Sequence, residues 1–152
     1  MGAKALKPAI QNLYDEDFAI WTEETARLLR AGRFDHIDVE HLAEEVEDMG
    51  KSQGHEVRSR LRVLMVHLLK WKCQPQKRSR SWSSTAATQR AELRDVFSES
   101  PSLRAKLPPS IPDVYPDAVE QAALETGLPE SAFPRECPFS PEQIMDRRFL
   151  PD

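Results

Sequence analysis

The sequence predicts an all-α protein. Three observations carry this: apolar residues recur at spacings of three and four over long stretches, no stretch alternates apolar with polar as a half-buried strand does, and capping residues stand where the periodic stretches begin. A chain of 152 residues has the length of one domain and can hide roughly 70% of its unfolded surface. The expected organisation is an N-terminal extension (1–14) followed by a single helical domain (15–152). That domain has about five or six helices, with one very long central helix or helix pair and a proline-rich C-terminal arm (101–152) packed on it.

The elements follow from local signals. Asp15 is a plausible N-cap, and Phe18, Trp21, Thr25, Leu28 and Leu29 repeat at helical spacing until Gly32, a suitable stop. Asp38 opens a second pattern, in which Leu42, Val46, Met49, Gln53, Val57, Leu61, Leu64, Leu68 and Trp71 hold to one stripe. Unbroken over residues 38–72, this helix would run about 50 Å. Gly50 and Gly54 are its weak points, so one kinked helix and two consecutive helices both fit. Within residues 61–69, Val63 and Val66 point away from the stripe, the mark of a helix covered on more than one side.

Pro75 ends that pattern. A polar segment follows, and Ser83 or Ser84 caps a third helix reaching Phe97. Ten of the twelve prolines lie in residues 101–151, so the last third is expected to be broken up. Pro101 starts a short helix, and Pro108, Pro109 and Pro112 form a stiff connection. Pro116 opens a helix that Gly127 ends, and Ser140 with Pro141 starts one more turn. The apolar residues of the tail argue that it packs on the helices.

Composition excludes several classes. With 39% hydrophobic and 30% charged residues and a net charge of −4, the chain is not a disordered polyanion, a collagen-like chain or a globally basic nucleic-acid coat. The most apolar stretch, residues 61–69, is broken by Arg62 and His67 and is far short of the roughly 20 residues that span a bilayer. No membrane partner is expected. The start of the chain lacks the apolar run of a secretory signal, and Cys73 and Cys137 cannot build a disulfide framework, so a cytoplasmic setting is expected.

Several stretches taken together carry a resemblance. They are residues 17–34 with Trp21 and the run Leu28, Leu29, Arg30, Ala31, Gly32, Arg33, Phe34; residues 40–50; residues 61–71; the segment from Gln74 and Pro75 to Trp82; and the tail from Phe133 to Phe139. In this order they resemble the bacterial family named domain of unknown function 29, over about residues 13–151. The resemblance implies an almost entirely helical domain of a bacterial cytoplasmic protein. It implies no reaction and hands no residue a catalytic role.

Charge is segregated. Residues 35–56 carry eight acidic residues against one lysine, and residues 57–91 carry nine basic residues and no acidic one. Acid at a helix start and base at its end complement the macrodipole, which is the bland reading. The sharper one concerns residues 77–82. There Lys77, Arg78, Arg80 and Trp82 fall in a nonhelical stretch leading into serine-rich capping positions, a candidate for binding phosphate or nucleic acid. The same arginines are suited to clamping the C-terminal tail.

On the acidic turn, His41, Glu44, Glu45 and Asp48 cluster at spacings of three, four and seven. They form a metal candidate that needs ligands from a second helix and lacks any His-Glu-x-x-His motif. Their face lies opposite Leu42, Val46 and Met49 and reads as solvated. His67 reads as a hydrogen-bonded, partly buried histidine, and Trp21, Trp71 and Trp82 as core anchors. Five glycines, at 2, 32, 50, 54 and 127, assemble no phosphate loop. No cofactor and no catalytic residue are expected.

The favoured function is a noncatalytic protein-interaction or self-association module, with two long helices laid antiparallel so that acidic front halves meet basic rear halves. A homo-oligomer or protein partner is therefore expected. A nucleic-acid or phosphate-binding module through residues 77–82 is the alternative, and a metal-dependent enzyme using residues 41–48 ranks last.

Overall fold

A computed structural model describes residues 10–152, the side chain of Gln11 excepted. Six α-helices run along them: α1 Ile10–Glu16, α2 Phe18–Arg30, α3 Val39–Cys73, α4 Arg80–Glu99, α5 Leu107–Thr126 and α6 Pro141–Met145. Short 3-10 turns link them, and no strand occurs among the described residues. The chain is all-α, as its periodicity predicts. It divides into two compact units, one ending at Lys51 and one beginning at Ser52.

In the first unit the cap of α2 is Asp17, not Asp15. The Asp17 carboxylate accepts from the Ile20 N–H at 3.1 Å, while Asp15 lies inside α1. The sequence reading missed α1, whose seven residues are too few to display a helical period. Gly32 ends α2 as expected. Its φ of +68° lets the Gly32 N–H reach the Leu29 carbonyl at 3.1 Å and the Arg33 N–H reach that of Leu28 at 2.9 Å, a Schellman stop. Asp38 caps α3, accepting from the His41 N–H at 3.3 Å.

The helix α3 is continuous over 35 residues. Gly50 and Gly54 do not break it. In the second unit its stripe forms the centre of the core: Leu61, Leu64, Met65, Leu68 and Leu69 are fully buried. They pack in one cluster with Leu93, Val96 and Phe97 of α4 and with Ile111, Val114 and Ala118 of α5.

Two expectations need correcting. Ser79, not Ser83 or Ser84, caps α4, accepting from the Trp82 N–H at 3.3 Å; Arg80 and Trp82 are therefore helical. Pro108, Pro109 and Pro112 form no separate connection, because α5 runs unbroken from Leu107 to Thr126 with Pro112 and Pro116 inside it. Pro108 and Pro109 sit in the first turn, where a missing N–H costs little. Spacing by four places Pro108, Pro112 and Pro116 along one face, where they line a common cavity. Gly127 ends α5 with φ +73°, and Ser140 with Gln143 forms a reciprocal capping box at the start of α6.

The C-terminal arm packs on this core through Phe133, Phe139 and Ile144. Arg90 of α4, only 2% exposed, holds it by donating to the carbonyls of Ile144 at 2.7 Å, Phe149 at 2.9 Å and Gln143 at 3.2 Å. Burial pulls its guanidinium below the ordinary arginine pKa.

Candidate functional site

The basic segment is partly consumed by the fold. Arg78 donates to the Trp71 carbonyl at 2.8 Å and to the Pro151 carbonyl at 3.2 Å, with its guanidinium 5.1 Å from the Trp71 ring centre. Its role as a tail clamp is thus realised on a backbone carbonyl rather than a carboxylate. Trp82 receives the Lys70 ammonium over its ring at 4.7 Å, and the same ammonium, almost buried, pairs with Glu125 at 3.0 Å. Lys77 and Arg80 are exposed. Of the four residues singled out at 77–82, two face solvent and two are engaged within the second unit.

Other cations of this stretch are also engaged. Arg60 pairs with Glu56 at 2.8 Å and Glu92 at 3.3 Å, and Arg58 lies 3.6 Å from Asp113. His67 donates from Nδ1 to the Val63 carbonyl one turn back, at 2.8 Å. Burial pushes the Cys73 and Cys137 thiols above their ordinary pKa, which works against a nucleophilic thiolate.

The acidic turn is only in part the solvated face its spacing implies. Tyr14 of α1 stacks flat on His41, with centroids 3.9 Å apart and planes at 12°, and its hydroxyl donates to Glu45 Oε1 at 2.5 Å. The His41 ring in turn donates from Nδ1 to Asp38 Oδ2 at 2.5 Å. Asp38 is 5% exposed. That bond to Asp38 raises the His41 pKa above its ordinary value, and the Glu45 bond pushes the Tyr14 pKa up to about 12. Glu44 and Asp48 remain exposed. Among the described residues no three His, Cys, Asp or Glu side chains come together as a metal-ligand set. Sequence spacing missed Tyr14 because α1 itself was missed.

The most unusual feature of the first unit lies on the other side of α3. Val39, Leu42, Val46 and Met49, spaced by three, four and three, share one stripe, yet Val39 is 67%, Val46 54% and Met49 64% exposed. Phe18, Ile20, Leu29 and Phe34 are exposed as well. Seven of the eight exposed large hydrophobic side chains therefore fall in residues 18–49. In the same segment Trp21 and Leu28 are the hydrophobic residues that are buried. Aromatic rings pack together in this unit: Trp21 meets Tyr14 edge-on at 5.0 Å and Phe18 stacked at 5.6 Å.

These features define a helical protein with an uncovered apolar stripe and no assembled set of metal ligands among the described residues. The chain belongs to the family described as domain of unknown function DUF29, whose pattern matches residues 13–150. No curated protein and no solved structure matches it. Among the described residues no helix is long and apolar enough to cross a membrane.

Proposed function

We propose that the protein is a noncatalytic protein-interaction module that receives a basic amphipathic helix of a partner on the front of α3. The observation that carries this reading is the exposed stripe of Val39, Val46 and Met49 on a unit in which Phe18, Ile20, Leu29 and Phe34 are exposed as well. Isolated apolar side chains on a surface need no explanation, but a concentration of this kind marks an interaction surface.

Charge selects the occupant. Glu40 and Glu47, both exposed, border the stripe along one side, so a partner helix carrying lysine or arginine beside its apolar face is attracted. A second copy laying the same segment against it sets carboxylate against carboxylate. Full-length antiparallel pairing of α3 is disfavoured too, because the rear part of its stripe, from Leu61 to Leu69, is already buried within the second unit.

Titration with a synthetic amphipathic peptide of leucine and lysine at helical spacing tests the reading, followed by NMR and repeated at high salt. Saturable binding that weakens with salt, and that Val46→Glu with Met49→Glu abolishes without lowering the melting temperature, is the expected result. Equal binding by wild type and the double variant removes the proposed surface. Light scattering showing a salt-insensitive dimer disrupted by the same two substitutions assigns the stripe to self-association instead.

A further inference from the structure

A different part of the molecule holds an unpaired buried guanidinium nitrogen beside a cavity. Arg94 of α4 buries its Nη1 with no hydrogen-bond partner, an uncommon state for a buried donor, and the same side chain borders open space. Arg94 lines a cavity of about 390 Å³ with Phe97, Arg104, Leu107, Glu142 and Met145 among its walls, and also a smaller one of about 210 Å³ shared with Arg90 and Arg147. Both lie within the second unit.

The walls of these cavities carry more cations than carboxylates, although the charge of Asp146 acts on the neighbouring Arg90. Arg90 is satisfied by three backbone carbonyls, but the side chains of Arg94, Arg104 and Arg147 have no ion pair or hydrogen bond among the described residues. Glu142 is the carboxylate on the larger cavity, where it opposes two guanidiniums; among the described residues none lines the smaller one. Arg104 lies over the Phe97 ring at 5.7 Å, so cation and apolar wall are adjacent. Guanidinium forks match the planar geometry of carboxylate and phosphate oxygens, and the larger volume falls in the range of small-molecule sites.

We infer that the cavity beside Arg94 binds a small organic oxyanion, its carboxylate or phosphate head held by Arg94 and Arg104 and its apolar body lodged among Phe97, Leu107 and Met145. This site is independent of the α3 stripe, and either proposal stands or falls without the other.

Calorimetric titration of the full chain in a buffer free of phosphate and carboxylate tests it with three probes: phenyl phosphate, phenylacetate and inorganic phosphate. The expected result is one-to-one binding of at least one ring-bearing anion, about tenfold or more tighter than inorganic phosphate, and weakened about tenfold or more by Arg94→Gln. Which ring-bearing anion binds identifies the head group. Arg104→Gln, at an exposed position, gives the same loss with an unchanged melting temperature and decides the matter if Arg94→Gln does not fold. Binding of none of the three probes overturns the inference. So does inorganic phosphate binding as tightly as the ring-bearing anions, or Arg104→Gln binding as wild type does.

Discussion

The guanidinium of Arg90 donates from Nε to the carbonyl of Ile144 at 2.7 Å across 54 residues of chain. Its other two nitrogens reach the carbonyls of Phe149 and Gln143. One side chain therefore donates to three carbonyls of the C-terminal arm, of which that of Gln143 also accepts from the Asp146 N–H at 3.3 Å. A buried cation is costly to desolvate, and here hydrogen bonds rather than a carboxylate within ion-pair distance compensate it.

Arg90→Met is expected to lower stability by about 3 kcal/mol or more, since buried carbonyls lose charged donors. Urea unfolding followed by circular dichroism measures this. The loss should come with faster proteolysis of the arm, and a change below about 0.5 kcal/mol would show that the arm is held by its apolar residues alone.

The Asp38–His41 pair sets a pH dependence for the first unit. Its hydrogen bond raises the His41 pKa, so folding favours the protonated ring. The stabilisation is complete below the ordinary histidine value of about 6.5 and is lost as pH rises through the higher folded value. An NMR titration of the His41 ring should show a midpoint above about 6.5 that Asp38→Asn brings down. An unchanged midpoint in the variant would assign the shift to other carboxylates.

Gly50 and Gly54 lie inside a continuous helix, and a Cβ at either would meet nothing within 4 Å. Gly50→Ala and Gly54→Ala are each expected to stabilise by about 0.5–1 kcal/mol, because alanine loses less backbone entropy on entering a helix. Denaturant midpoints of the single variants check this. A destabilised variant would mean that the helix must bend at that glycine.

Both thiols are held protonated by burial. At pH 8 their reaction with a disulfide reagent should be at least about tenfold slower in the folded protein than in urea. Equal rates would mean that the sites open freely.

Much of the local structure was legible without coordinates. Asp38, Gly32, Gly127 and the Ser140–Pro141 pair mark helix ends through backbone chemistry that acts within a few residues. Proline misled where local rules were applied too strictly: at spacing four, Pro108, Pro112 and Pro116 share a face of one helix instead of ending several. The serine run also misplaced a cap, because Ser79, Ser83 and Ser84 all suit the role and only the course of the preceding turn selects Ser79.

The candidate sites were less legible. Helical spacing put His41, Glu44, Glu45 and Asp48 on one side of α3, but Tyr14, which stacks on His41 and bonds Glu45, comes from an element too short to show a period. Arg78 was marked as either anion ligand or tail clamp, and its partner Pro151 lies 73 residues away. Arg94 and Arg104 carry no sequence signal at all, being ordinary cations on polar helical stretches.

The sequence by itself determined that this chain is helical, where several helices end and where α3 and α6 begin, and which residues share a face, because those properties depend on hydrogen bonds and side-chain spacing within a turn or two. Tertiary structure alone decided which faces are covered. The stripe of α3 is one continuous pattern, yet Leu61 and Leu64 are sealed while Val46 and Met49 are open. Burial depends on what arrives from distant chain, and periodicity carries no record of that.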